Sequence, residues 1–295
     1  MKEIKIWFNV LRPKTLFASS VPVVVGMCYA LLTNSINCFV AIITLLCGVS
    51  LQTLSNLIND YYDYKKGTDQ KDRIGFKRAL AQGEVSIKQM KKAIYLNLSF
   101  SLFCGIYLVY CGGVPIVVIG LLSIFFAWLY TATPYSLSYL GIADIFAFLF
   151  YGPIATCGTY YLLCNDMILI KRVFAAGCVC GCVSTMILTV NNLRDMDTDK
   201  LHGKKTFEVR FGKTTGEIKY LFLSLFIGLS AFFSLFRLNC NKLLIVLLPA
   251  IMLFASISLF LKLRKAEGQT YNKLLFHTSL INLLYLLLLI IAFGV

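Results

Sequence analysis

The sequence predicts an all-α, polytopic membrane protein with nine transmembrane helices. Two observations lead there. Apolar runs near 20 residues recur along all 295 positions, and about 20 mostly apolar residues are what a helix needs to cross a bilayer. Charged residues make up only 14% of the chain, where soluble domains carry about 25%. The charges that remain are sorted between alternate loops, which is the topology signal of a membrane protein.

The first span is expected over 15–33. The arm before it carries Lys2, Lys5, Arg12 and Lys14, but the apolar stretch that follows is long and lacks a small-residue cleavage site. It therefore reads as a span and not as a removable signal. The others are expected over 38–58, 93–111, 114–130, 142–163, 173–191, 218–236, 243–261 and 274–293. With nine spans, all but four of the 28 basic residues fall on one side, the exceptions being Lys171, Arg172, Arg237 and Lys242. By the positive-inside rule that side is cytoplasmic, with the N-terminus there and the C-terminus opposite. A missed or extra span would scramble the separation. No soluble domain remains. The chain reads as a single transmembrane domain over 1–295, with its largest non-membrane pieces, about 59–92 and 194–217, both on the cytoplasmic side.

The net charge of +14 does not signal nucleic acid, because the basic residues lie in short loops between spans and form no solvated face. The 11 cysteines are mostly embedded in apolar segments. Cys178, Cys180 and Cys182 are spaced by two, so on a helix they face different ways. They are expected to be small packing residues, not a metal site.

Chemistry concentrates in two places. The end of the second span reads Asn56-Leu-Ile-Asn59-Asp60-Tyr-Tyr-Asp63, with Gly67 and Asp69 following. Spacings of three and four place Asn56, Asn59, Asp60 and Asp63 on one helix face, and Gly67 can end the helix. The end of the sixth span reads Asn191-Asn192-Leu-Arg194-Asp195-Met-Asp197-Thr-Asp199. There Asn192, Asp195 and Asp199 share a face, and Asp197 points elsewhere. Like charges at this spacing repel and destabilise a bare helix. Cations between them reverse the sign. Carboxylate oxygens suit Mg²⁺, which often binds through a few carboxylates plus substrate phosphates. A solvated, polar helix end would account for one cluster. Two on the same membrane face point to two Mg²⁺ ions gripping one diphosphate, which they would neutralise as it leaves. Basic residues follow each cluster: Arg73, Lys77 and Arg78, then Lys204, Lys205 and Arg210. They suit diphosphate oxygens, although the positive-inside rule alone also predicts basic loops.

These motifs resemble those of the UbiA superfamily of intramembrane aromatic prenyltransferases. The resemblance rests on Asn59-Asp60-x-x-Asp63 after the second helix, Asp195-x-x-x-Asp199 after the sixth, and nine helices. Within that superfamily the chain looks like the 1,4-dihydroxy-2-naphthoate polyprenyltransferases. Arg12-Pro-Lys-Thr-Leu, the stretch 56–72 continuing as Arg73-Ile-Gly, then Arg78 and Gln82-Gly83 carry that likeness. So do Asn191-Asn-Leu-Arg-Asp, Gly203-Lys-Lys-Thr and Val209-Arg-Phe-Gly, with Gly141-Ile-Ala-Asp a looser match. The similarity covers most of the chain and is least distinctive over the last three spans. Phe76 stands where that subfamily commonly has Pro, a change of loop shape and not of a ligand.

The resemblance implies that a polyprenyl diphosphate and 1,4-dihydroxy-2-naphthoate react to give demethylmenaquinone, CO₂ and diphosphate, at a bacterial cytoplasmic (inner) membrane. It implies Mg²⁺ as cofactor and Asp60, Asp63, Asp195 and Asp199 as the catalytic, metal-binding carboxylates, with Asp69 a further metal ligand. Asn56, Asn59, Arg73, Asn192, Lys205 and Arg210 would contact diphosphate. Tyr61, Tyr62, Tyr130 and Tyr135 could stabilise allylic cation character, but an interfacial aromatic belt explains most of them equally well. A sister enzyme acting on 4-hydroxybenzoate or haem is the alternative. A secondary transporter fits less well, because the acidic groups sit at helix ends and no two spans carry corresponding Gly/Pro breaks. Prenyl chain length and oligomeric state stay open.

Overall fold

A computed structural model describes residues 2–33, 36–67, 78–132, 136–164, 167–238 and 240–294. Among them every regular element is helical. In chain order these are α1 Lys2–Leu11, α2 Pro13–Leu31, α3 Cys38–Lys65, α4 Ile87–Gly112, α5 Val114–Leu129, α6 Leu137–Leu140 and α7 Ala143–Phe150. There follow α8 Pro153–Cys164, α9 Ile170–Leu201, α10 Phe207–Phe211, α11 Lys213–Leu235, α12 Lys242–Leu263 and α13 Thr270–Phe293.

Each of the nine expected segments falls on a helix or a helix pair, but the number of spans differs from the expectation. Seven are long and apolar enough to cross a membrane: α3, α4, the α7–α8 pair, α9, α11, α12 and α13. The α1–α2 pair would be an eighth, bent by 42°. Its bend lies at Arg12, which has a φ of 54° and precedes Pro13; a residue before proline is pushed out of the helical region. Helix α5 is strongly apolar but has only 16 residues, short of the usual span. The described helices therefore give seven spans, or eight with the bent pair, and not nine. The fifth segment is also not one helix. It breaks at Tyr151 and Gly152, where Pro153 has no amide hydrogen to continue the ladder.

The sixth segment becomes the axis of the bundle. Helix α9 packs against α2, α7, α8, α10, α11 and α13, and its Val173, Val179, Val183, Met186 and Val190 are fully buried. Cys180 and Cys182 sit in the same core, and all eleven cysteines are free. Small residues set how close the neighbours come. A methyl group on Gly177 would lie 2.7 Å from Pro153 Cα, and one on Gly152 would lie 2.6 Å from the Gly177 carbonyl oxygen. Without a hydrophobic force between helices in lipid, such backbone approach is a main source of helix association. It fixes α9 against the α7–α8 break.

Both acid-bearing helices run on past the apolar stretch expected for them. Helix α3 continues to Lys65, where the Lys66 and Gly67 amides close its last turn on Tyr62 and Tyr64 carbonyls at 2.9 and 3.0 Å. Helix α9 continues to Leu201. The carboxylates thus ride on helices and not on loops, so packing sets their positions. A second core holds that end of α3: Leu54, Leu57 and Ile58 pack with Val10 of α1 and Met90 and Ile94 of α4. Helix α4 is started by a reciprocal Ser86–Gln89 capping box, which satisfies two amides that would otherwise lack partners.

Gly177→Val should destabilise the protein by about 1–3 kcal/mol, the usual cost of overpacking, and lower its thermal midpoint in detergent. Gly105→Ala should leave the midpoint unchanged, because nothing lies within 4 Å of an added Cβ there.

Candidate functional site

The carboxyl ends of α3 and α9 come together at one end of the bundle. Asp60, Asp63, Asp195 and Asp199 are all buried, at 3%, 2%, 4% and 8% exposure. Bare carboxylates in such surroundings would be very costly, and each has a cation against it. Arg12, at the bend between α1 and α2, and Arg78, just before α4, both donate to Asp60 Oδ1. Arg78 also donates to Asp63 Oδ2 at 3.1 Å. Lys204 Nζ stands between the helices, 3.4 Å from Asp199 Oδ1 and 4.0 Å from Asp63 Oδ2. It is the direct link between the two clusters. Asp195 is gripped by its neighbour: Arg194 Nε donates to Oδ1 at 2.7 Å and Nη2 to Oδ2 at 2.8 Å. Arg194 in turn reaches Asn191 at 2.7 Å and Asn272 of α13 at 2.8 Å. Arg194 thus ties Asp195 to α13 through Asn272, and Lys204 ties Asp199 to α3 through Asp63.

The asparagines divide into three roles. Asn56 is structural: its amide donates to Thr15 Oγ1 at 3.1 Å and to the Leu11 carbonyl at 3.4 Å, and its oxygen accepts from Gln52 at 3.1 Å. It ties α3 to the α1–α2 bend. Asn59 has a buried Oδ1 with no hydrogen-bond partner among the described residues. Asn192 donates its amide to Glu208 Oε2 at 2.9 Å, so it turns a carbonyl oxygen to its other side, a ligand for a cation or a hydrogen-bond donor and not for phosphate oxygen.

Glu208 anchors a further network. It lies on α10, is fully buried, and accepts from Lys219 of α11 at 2.6 Å. Lys219 also donates to Asp144 at the start of α7, at 2.9 Å, and sits 4.6 Å from the Phe207 ring centre. Burial pushes the Glu208 carboxyl above its ordinary pKa, with Lys219 pulling the other way. The network clamps α10, α11 and α7 onto α9 just behind Asp195. Gly141 helps from the same side: its positive φ and missing Cβ let the chain lie against the Lys205 carbonyl. That carbonyl accepts from Arg210 Nε at 3.0 Å. Lys66, just past α3, donates to the Thr131 carbonyl at 2.6 Å and lies 4.4 Å from the Tyr139 ring centre. Burial pushes its ammonium below the ordinary lysine value.

The remaining expected residues fall as follows. Asp69, Arg73 and Tyr135 lie outside the described residues. Lys205 and Arg210 are exposed, and it is Lys204 that reaches the carboxylates. Asp197 is exposed. Tyr130 lines the cavity described below. Tyr61 and Tyr62 stack edge-on at 5.0 Å, with Tyr62 against Trp128. Sequence reasoning passed over Arg12, Arg194 and Glu208 as site residues. Arg12 is 48 positions from Asp60, a pairing that no local pattern shows. Arg78 and Lys204 were visible as members of basic loops and of the family-like stretches, but not as partners of the carboxylates.

A cavity of about 740 Å³ runs from this cluster into the bundle. Its polar end is formed by Arg12, Asn56, Asn59 and Asn191, and its deeper walls by residues such as Leu51, Phe126 and Ile154. Its lining includes surface residues: Ile106 of α4, Leu121 of α5 and Phe276 of α13 are 71%, 64% and 44% exposed. The volume is typical of a small-molecule site. Its shape suits a long apolar group with a polar head at the Arg12–Asn59 end.

The donor chemistry fits a hard divalent cation: carboxylates on two helices, a buried unpartnered amide oxygen at Asn59, and cations available to shift onto an anion. Among the described residues no three acidic, His or Cys side chains converge on one point. Each ion would thus need substrate oxygens to complete its shell, as Mg²⁺ commonly does.

A multi-pass helical bundle with facing carboxylate helix ends above an apolar cavity defines an intramembrane transferase class. The chain belongs to the UbiA prenyltransferase family, which matches residues 19–281. It is 33% identical to the 1,4-dihydroxy-2-naphthoate octaprenyltransferase of Escherichia coli strain K12, over 72% of this chain and 70% of that one. It is 30% identical to the Haemophilus influenzae protein of the same name, over 75% and 74%. Among solved structures it is similar to a UbiA homologue from Archaeoglobus fulgidus bound to DMAPP and Mg²⁺, with a TM-score of 0.68, 16% identity and coverage of 98% and 99%. At that identity the likeness shows the fold.

Arg78→Met should lower the thermal midpoint sharply, because removing one partner of a buried pair costs about 3–5 kcal/mol. Millimolar Mg²⁺ should restore part of the loss, and equal ionic strength from NaCl should not. Identical midpoints for variant and wild type would contradict the role given to Arg78.

Proposed function

We propose that the protein transfers a polyprenyl group from polyprenyl diphosphate to 1,4-dihydroxy-2-naphthoate. CO₂ and diphosphate are lost, and demethylmenaquinone forms, released in its quinol state. The observation that carries this reading is the approach of carboxylates from α3 and α9, with Lys204 between Asp63 and Asp199, beside the Arg12–Asn59 end of a largely apolar cavity. The names of the relatives support the acceptor.

Asp60 and Asp63 on one side and Asp195 and Asp199 on the other would hold Mg²⁺, with Asn59 and Asn192 offering carbonyl oxygens and Asp69 a further carboxylate. When bound, Mg²⁺ supplies Lewis-acid charge to the leaving diphosphate. Arg12, Arg78 and Lys204 neutralise the carboxylates when substrate is absent and turn to phosphate oxygens when it arrives. Arg73, Lys205 and Arg210 would add further contacts to the diphosphate, as the family resemblance implies. The cavity aligns the tail so that the allylic carbon lies at the carboxylate end. As the C–O bond weakens, that carbon gains cation character, which an aromatic face such as that of Tyr130 would stabilise. The naphthoate ring attacks through the carbon bearing its carboxylate, and loss of CO₂ restores aromaticity. The burial of the site limits water, which would otherwise capture the cation. The whole chain acts as one transferase domain in a bacterial cytoplasmic membrane, with the carboxylate end on the cytoplasmic side.

Purified protein in vesicles, given geranylgeranyl diphosphate, the naphthoate and Mg²⁺, should form the prenylated, decarboxylated product, and EDTA should stop it. Asp63→Ala and Asp195→Ala should each cut turnover on the order of 100-fold or more, the scale of losing one preorganised electrostatic group. Near wild-type turnover in both would sink the carboxylate assignment. Faster turnover with 4-hydroxybenzoate would move the acceptor to the sister class.

A further inference from the structure

Of the four basic residues that break the charge segregation, Lys171, Arg172 and Arg237 meet where the start of α9 lies against the end of α11. Lys171 and Arg172 open α9, whose 32 residues span about 48 Å at 1.5 Å per residue. They are therefore at the opposite end of the bundle from Asp195 and Asp199. Arg172 reaches across to the end of α11, donating from Nε to the Phe236 carbonyl at 2.8 Å and from Nη2 to the Arg237 carbonyl at 3.2 Å. Arg237 follows in sequence, and Lys242 begins α12. In the sequence, the stretches 164–172 and 236–242 carry these four basic residues and one acidic residue, Asp166, so their charge balance is positive.

Directly beneath lies a groove of about 500 Å³ between α9 and α11. Its rim carries Lys171 and Arg172, and its walls are Phe174, Phe226, Leu229 and Phe233. Phe174, Leu229 and Phe233 are half exposed, at 50–52%. Lys171 is exposed. Such a groove offers a hydrocarbon slot on the lipid-facing side and cations where a headgroup would sit. A zwitterionic lipid would satisfy the slot alone. The excess positive charge favours an anionic head over a zwitterionic one by charge complementarity.

We propose that this groove is a binding site for one anionic phospholipid, its acyl chain against Phe174, Leu229 and Phe233 and its phosphate on Lys171 and the Arg172 edge. Bound there, the lipid bridges α9 to α11, the pair whose opposite ends carry Asp199 and Lys219. It is remote from the transferase site and independent of its substrate.

Native mass spectrometry of the full chain released from micelles doped equally with phosphatidylglycerol and phosphatidylcholine tests this. Wild type should retain one phosphatidylglycerol in several-fold excess over phosphatidylcholine. Lys171→Gln/Arg172→Gln should bring the ratio to about one. Ala175→Trp, which fills the groove and keeps both cations, should lose the bound lipid as well, and it decides the matter should the double variant fail to fold. Inorganic phosphate at millimolar concentration should not displace the lipid. No preference in wild type, an unchanged preference in Ala175→Trp, or displacement by phosphate would each overturn the proposal.

Discussion

The structure depends on the need to neutralise four carboxylates buried at two helix ends. Asp60 and Asp63 on α3, and Asp195 and Asp199 on α9, would repel one another and resist burial if left alone. Arg12, Arg78, Lys204 and Arg194 answer that need. Each comes from a different stretch of chain, so satisfying the charges also pulls together the α1–α2 bend, the segment before α4, the segment after α9, and α13. Buried ion pairs are weak evidence of stability. Their use here is specificity: they hold a set of anions and cations in balance, ready to be rearranged by a ligand that brings both signs, such as a metal–diphosphate.

Packing explains why those charges sit where they do. Gly152 and Gly177 let α9 and the α7–α8 break approach to backbone contact. Asn56 and the second core fix α3 against α1 and α4. The Glu208–Lys219–Asp144 network clamps α10 behind Asn192 and sets the direction of its amide. This packed frame surrounds a largely apolar cavity with surface residues in its lining. That contrast suits a site that takes an apolar tail from the membrane and handles a charged head at its edge.

Much of this was legible in the sequence, for physical reasons. Apolar runs locate helices because lipid permits little else, and each expected segment falls on a helix or a helix pair. Spacings of three and four marked the acidic faces because α3 and α9 continue as helices through them. The span count was less legible: the Pro13 and Pro153 breaks and the short α5 depend on how neighbours pack. Within the site, the partners of the carboxylates were hidden. Arg12 is distant in sequence from Asp60, and Lys204 and Lys205 are indistinguishable until the turn after α9 points one inward. The partners of Asn56 were equally hidden: its amide donates to Thr15 and its oxygen accepts from Gln52, contacts that spacing alone does not show.

The central claim is that α3 and α9 close on one diphosphate as a single unit. A double-mutant cycle on Mg²⁺-dependent binding of a non-reactive geranylgeranyl thiolodiphosphate tests it, using Asp63→Asn, Asp199→Asn and the pair, with affinities from calorimetry. Residues acting through one shared ligand should be non-additive, with a coupling of about 1 kcal/mol or more. Effects that add to within about 0.3 kcal/mol would show that the two helix ends bind independently, and would contradict the account.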